Sequence, residues 1–211
     1  MSQKSLYILI AVIAAIAALV SLSTKTNFLA GQKLKSAETV GGETAGWSAY
    51  QNEKYNYSLK YPTSWQLTED SQQLQTTGAE QKLPLLENAE IFGVENTDQS
   101  GGYISLYIYI NQPPHLAANP ACQSLADCVA GFNQNLAGAA GWQVGEPAAV
   151  TLAGEAAMAE RVDRPAAGWA HYYVFALRNN IFYTLRFTVK TGDYDLARST
   201  FDKVLANFRW K

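Results

Sequence analysis

The sequence predicts an α+β domain, an antiparallel sheet flanked by helices, behind a hydrophobic amino-terminal helix. Three observations point there. Several short segments alternate apolar and polar side chains or run apolar between turn residues. Pairs of them meet at Gly154-Glu155 and Asn179-Asn180, and two longer stretches carry apolar side chains at helical spacing. With 211 residues, 48% hydrophobic and 16% charged, the chain is long and apolar enough to bury a core.

Between Ser5 and Thr24 there is no charged residue, and Leu6 to Leu22 form an apolar stretch between Lys4 and Lys25. That length sits at the lower edge for a spanning helix and just above a signal-peptide core. Residues 1–24 therefore read first as a transmembrane anchor and second as a signal segment cleaved near Ser21-Leu22-Ser23, which would release a secreted domain. Lys25, Lys33 and Lys35 follow the segment and oppose export of the carboxyl side. Its position at the extreme amino terminus and the two cysteines favour export. The expected location is the cell membrane, single-pass through residues 5–24, with the domain extracytoplasmic.

Residues 25–46 are small and polar without a sustained apolar period, as in a flexible linker. A spacer of this length would hold a domain roughly 25 Å from the bilayer. The globular domain is expected over 47–211, with 12 basic and 16 acidic side chains, a formal charge of −4. This sign argues against nucleic acid, or an anionic membrane face, as the default partner. Residues 47–160 carry a net −9 and 161–211 a net +5.

Tyr55 to Tyr61 alternates aromatic residues or Leu with polar ones, a strand with one buried face. In Tyr103 to Ile110, Ile104, Leu106, Ile108 and Ile110 point one way and Tyr103, Ser105, Tyr107 and Tyr109 the other. Both faces are expected to be covered, as in a central strand. Further strands are expected at 89–94, 148–152, 156–162, 169–177 and 181–189. One helix should start at a capping box, Ser124 to Asp127, and bury Leu125, Val129, Phe132 and Leu136. A second, led by Asp193, should turn Leu196, Val204, Leu205 and Phe208 inward.

An aromatic strand running into Tyr61-Pro62-Thr63-Ser64-Trp65, with a closing helix from Phe201 to Phe208, resembles a PsbP-like domain. That superfamily contains an extrinsic photosystem II subunit, a Ran-binding transport factor and many small membrane-anchored bacterial proteins. The resemblance implies an α/β/α sandwich and an accessory, non-enzymatic role. In that setting Tyr61, Pro62, Trp65, Phe201 and Phe208 form a structural core motif, with Trp65 dropping its ring inward after the turn. No functional residue carries over from the photosystem or Ran-binding members.

His115 and His171 have no second ligand at a metal spacing, and nucleotide, dinucleotide and hydrolase signatures are absent. No metal or cofactor is expected. Cys122 and Cys128 are expected to form a disulfide in an exported domain, with Cys122 ahead of the Ser124 cap and reaching back to the first helical turn. Two function classes stay open. One is a binding module for a protein or envelope partner, with Tyr107, Tyr109 and His115 on a surface spanning 95–120. The other is an enzyme whose site would gather Asp163, Arg164 and His171.

Overall fold

The computed structural model describes residues 44–68, 90–96, 103–112, 119, 120 and 122–211. The hydrophobic segment, nearly all of the linker and His115 lie outside the described residues. So does the Gly-rich loop that opens the expected 95–120 surface. Among the described residues, no helix is long and apolar enough to cross a membrane.

The strands are β1 (Ser48–Asn52), β2 (Tyr57–Tyr61), β3 (Trp65–Thr68), β4 (Glu90–Asn96), β5 (Ile104–Asn111), β6 (Gln143–Val144), β7 (Ala148–Leu152), β8 (Glu155–Arg164), β9 (Trp169–Arg178), β10 (Ile181–Lys190) and β11 (Arg209–Trp210). Among the described residues the α-helices are α1 (Leu125–Gly138) and α2 (Tyr194–Ala206). Eight strands form one sheet in the order β3-β4-β5-β10-β9-β8-β6, with β7 also pairing β8, and β1-β2-β11 form a second. Among the described residues every pairing is antiparallel.

Tight turns set these registers. Asn179 and Asn180 take φ of 50° and 59°, the left-handed pair that matches strand twist in a two-residue hairpin. The other hairpin turns one residue earlier than the sequence suggests. Leu152 pairs with Glu155, so Ala153 and Gly154 form the turn at φ 50° and 86°, and Glu155 already belongs to β8. On the far edge of β8, Gly145 passes between β6 and β7 with its N–H on Arg161 O at 2.9 Å; a Cβ there would meet that oxygen at 2.6 Å. Only glycine permits this approach.

The large sheet is covered on both faces. On one lie Leu106, Ile108, Ile110, Val174, Leu185 and Phe187, packed against Tyr57, Leu59, Trp65, Phe201, Val204 and Phe208. One outer layer is thus shared by α2 and the small sheet. On the other face Tyr173, Phe175 and Phe182 meet Val129, Phe132 and Leu136 of α1. Phe132 stands edge-on to both Tyr173 and Phe175 at 5.0 Å.

Tyr103 and Leu196 are exposed and Leu125 is half-buried, where the sequence pattern placed them inside. Leu196 is 81% exposed, because α2 turns Tyr194, Ala197, Phe201 and Val204 to the sheet and residue 196 falls about 200° from residue 194 at 100° per residue. Asp193 leads α2 as expected, at its N-cap position after a 3-10 turn over 191–193, and its side chain makes no cap bond. The first helix follows its signal: Ser124 Oγ accepts from Asp127 N at 3.2 Å, and Asp127 Oδ2 accepts from Ser124 N at 3.1 Å.

Candidate functional site

Trp65 is 5% exposed, and its N–H closes the turn on Pro62 O at 3.0 Å. Phe201 stacks on Phe187 at 4.6 Å and Phe208 on Tyr57 at 5.4 Å. Tyr61 is also buried. These aromatics join α2, the small sheet and the large sheet into one core, and none forms an accessible platform.

Cys122 and Cys128 are disulfide-bonded with Cα atoms 4.3 Å apart. Cys122 precedes the cap and Cys128 closes the first turn of α1 with its N–H on Ser124 O at 3.0 Å, so the bond fastens the helix to the segment before it.

Tyr107 and Tyr109 are not a surface. They are 4% and 2% exposed and lie in the α1-side core, where both rings face the Arg186 guanidinium at 5.3 and 5.1 Å. Their place at the centre of an eight-stranded sheet withdraws them from any partner.

Asp163, Arg164 and His171 do not converge. Neighbouring residues on β8 point to opposite faces. Asp163 sits with Arg161, binding it through contacts of 2.9 to 3.1 Å on the α2 side. Arg164 lies over Trp142, whose ring neighbours His171 at 5.2 Å on the α1 side. His171 is 1% exposed with Nδ1 3.0 Å from Thr188 Oγ1. Burial first, then the charges of Arg186 and Arg164, lower its pKa to about 3. A neutral, enclosed imidazole with its carboxylate partner across the sheet is not an acid–base pair.

The α1 side holds a buried polar seam that sequence reading missed. Tyr107, Arg186, Tyr173 and Glu160 stand opposite one another across β5, β10, β9 and β8, beside a second row of Ser105, Thr188 and His171. Glu160 is 2% exposed, and its Oε2 accepts from Asn133 Nδ2 of α1 at 2.7 Å. Burial raises its pKa to about 7, against the lowering effect of that hydrogen bond. The seam is interior. Its local signal was slight, since Glu160 reads as an ordinary polar position in an alternating strand.

An open cleft of about 610 Å³ lies on the outer face of the small sheet, lined by Gln51, Ser58, Lys60, Asn207, Arg209 and Lys211 among others. No acidic side chain lines it. Ser58 pairs with Arg209, and Lys211 N donates to Asn56 O at 2.8 Å, so the carboxyl-terminal strand brings its cations beside Lys60 of β2. Among the described residues, no group of three metal-ligating side chains occurs.

No protein-family model matches the chain, and no curated protein matches it. Solved structures do. CyanoP, the cyanobacterial PsbP of Synechocystis sp. PCC 6803, superposes with TM-score 0.52 at 16% identity, over 85% of this chain and all of that one (100%). PA94, a Pseudomonas aeruginosa protein of unknown function, gives 0.48 at 14% identity over 77% and 95%. LpqN of Mycobacterium tuberculosis, involved in cell envelope biogenesis, gives 0.47 at 12% over 79% and 86%. The domain is an α+β sandwich with the PsbP-like fold.

Proposed function

We propose that the protein is an extracytoplasmic accessory module, held at the membrane through residues 5–24, that binds an envelope partner without turning it over. The observation that carries this reading is the contrast between interior and surface. Asp163 is split from Arg164 and His171 across the sheet and His171 and Glu160 are sealed inside it, whereas the exposed side chains of Lys60, Arg209 and Lys211 line an open cleft. The disulfide supports an oxidising compartment, where such bonds persist. The PsbP-like fold is compatible with an accessory role, although fold alone does not fix function.

Tethering raises effective concentration to the order of millimolar for short flexible linkers, so a weak interface suffices. Cross-linking the full-length protein in its native membrane, followed by affinity capture and mass spectrometry, tests the reading. A specific envelope partner is expected. Steady substrate turnover by the purified protein would overturn it.

A further inference from the structure

We propose that the cleft on the β1-β2-β11 sheet is a recognition site for phosphate esters, held by Lys60, Arg209 and Lys211. This deepens the binding-module reading and rests on it. Three features of the cleft carry it.

The first is a local excess of positive side chains. Elsewhere Arg161, Arg178 and Arg198 are each matched by a carboxylate at 2.8 to 2.9 Å. Among the described residues, Lys60, Arg209 and Lys211 make no such pair, and all three are exposed. The domain as a whole is negative and repels anions at long range. A Debye length of about 8 Å at physiological ionic strength confines that repulsion, and the nearest charges decide.

The second is spacing. Lys60 and Arg209 are diagonal neighbours across β2 and β11, at about 7 to 8 Å. Arg209 and Lys211 are two residues apart on one extended strand, about 7 Å. The cations therefore form a row, and an anion between successive members touches both. The Ser58 hydroxyl lies on the same lining, as do the Gln51 and Asn207 amides, which already donate one N–H each to Glu53 Oε1 at 3.4 Å and Lys203 O at 2.9 Å and keep a second.

The third is preorganisation. Arg209 Nη1 donates to Ala206 O and Phe208 O, both at 2.6 Å, at the carboxyl end of α2. The guanidinium is thereby fixed with both Nη1 protons used, and its Nε–Nη2 edge is the one that meets phosphate in two parallel bonds. Lysines on either side add charge without a demand on geometry. A volume of about 610 Å³ falls within the usual range for small-molecule sites. Carboxylates would meet the same cations, but a tetrahedral phosphate offers more oxygens to successive members of the row.

The test uses the full-length protein in phosphatidylcholine nanodiscs, titrated with sodium pyrophosphate by calorimetry at low and high salt. In parallel, amide hydrogen exchange of β1 and β2 is compared in discs with and without phosphatidylglycerol. Saturable pyrophosphate binding that weakens with salt supports recognition of the phosphate group of a soluble ligand. Protection that appears only with phosphatidylglycerol supports a lipid head-group as its source. The Lys60→Gln/Lys211→Gln variant, which leaves the Arg209 helix contacts in place, should bind at least about tenfold more weakly at an unchanged melting temperature. No response in either arm, or a double variant that binds as tightly as the wild type, overturns the proposal. Partner capture that survives such a failure leaves the binding-module reading standing by itself.

Discussion

Asn133 on α1 donates a 2.7 Å hydrogen bond to Glu160 in the middle of the large sheet, so the helix is fastened to the strands by a buried carboxyl group as well as by Phe132. Burial favours the protonated acid and places its pKa near 7 rather than 4.5. The unfolded chain releases this proton near 4.5. The stabilisation is therefore complete below about pH 4.5 and is lost as pH rises toward 7. At about 1.4 kcal/mol per pKa unit, the span is roughly 3 kcal/mol. Glu160→Gln keeps the acceptor and cannot ionise. Its thermal midpoint should match the wild type at pH 4.5 and exceed it at pH 7.5.

His171 acts with the opposite sign. Its pKa is lowered to about 3 from 6.5, so its contribution is present above pH 6.5 and is lost as pH falls toward 3. Between about pH 4.5 and 6.5 the two groups oppose each other and flatten the stability profile. In Glu160→Gln that interval should show stability rising with pH, and in Glu160→Gln/His171→Asn the slope should vanish. Calorimetric melts across the interval read both.

Trp65→Ala should lower stability by about 3 to 5 kcal/mol, because the ring is buried where the first turn meets the core. A midpoint within error of the wild type would mean that this ring contributes no core packing.

Reduction, or Cys122→Ala/Cys128→Ala, should cost about 2 kcal/mol, the chain-entropy value for so short a loop. Because the bond secures the amino end of α1, the loss should show as faster amide exchange in the first turns of that helix. Thiol titration of protein from its native compartment should find no free cysteine.

Ala153 holds φ 50° in the β7–β8 turn, a conformation that costs an L-residue with a Cβ about 1 to 2 kcal/mol. Ala153→Asn creates Asn-Gly, the favoured pair for this turn. It should raise stability by up to about 1 kcal/mol, measured by denaturant unfolding.

Local pattern was enough for much of the fold, and the reason is physical. The two-residue period of Ile104 to Ile110, the capping box at Ser124 and the Asn179-Asn180 turn each complete their chemistry within a few residues. The same locality suggested the nearness of Cys122 and Cys128. What the sequence by itself could not determine was which distant segments share a face. Tyr107 and Tyr109 read both as the covered face of a central strand and as a binding surface until β4 and β10 flanked β5, and Leu196 resembled core until α2 chose its contact face. Asp163 and Arg164 are adjacent in the chain yet lie on opposite faces, because one step along a strand reverses the side chain. The basic cleft needed β11 to return to β2 across some 150 residues, a pairing chosen by the packing of Phe208 on Tyr57 and of Trp210 on Tyr183. Only that closure of the chain brought Lys60 beside Arg209 and Lys211.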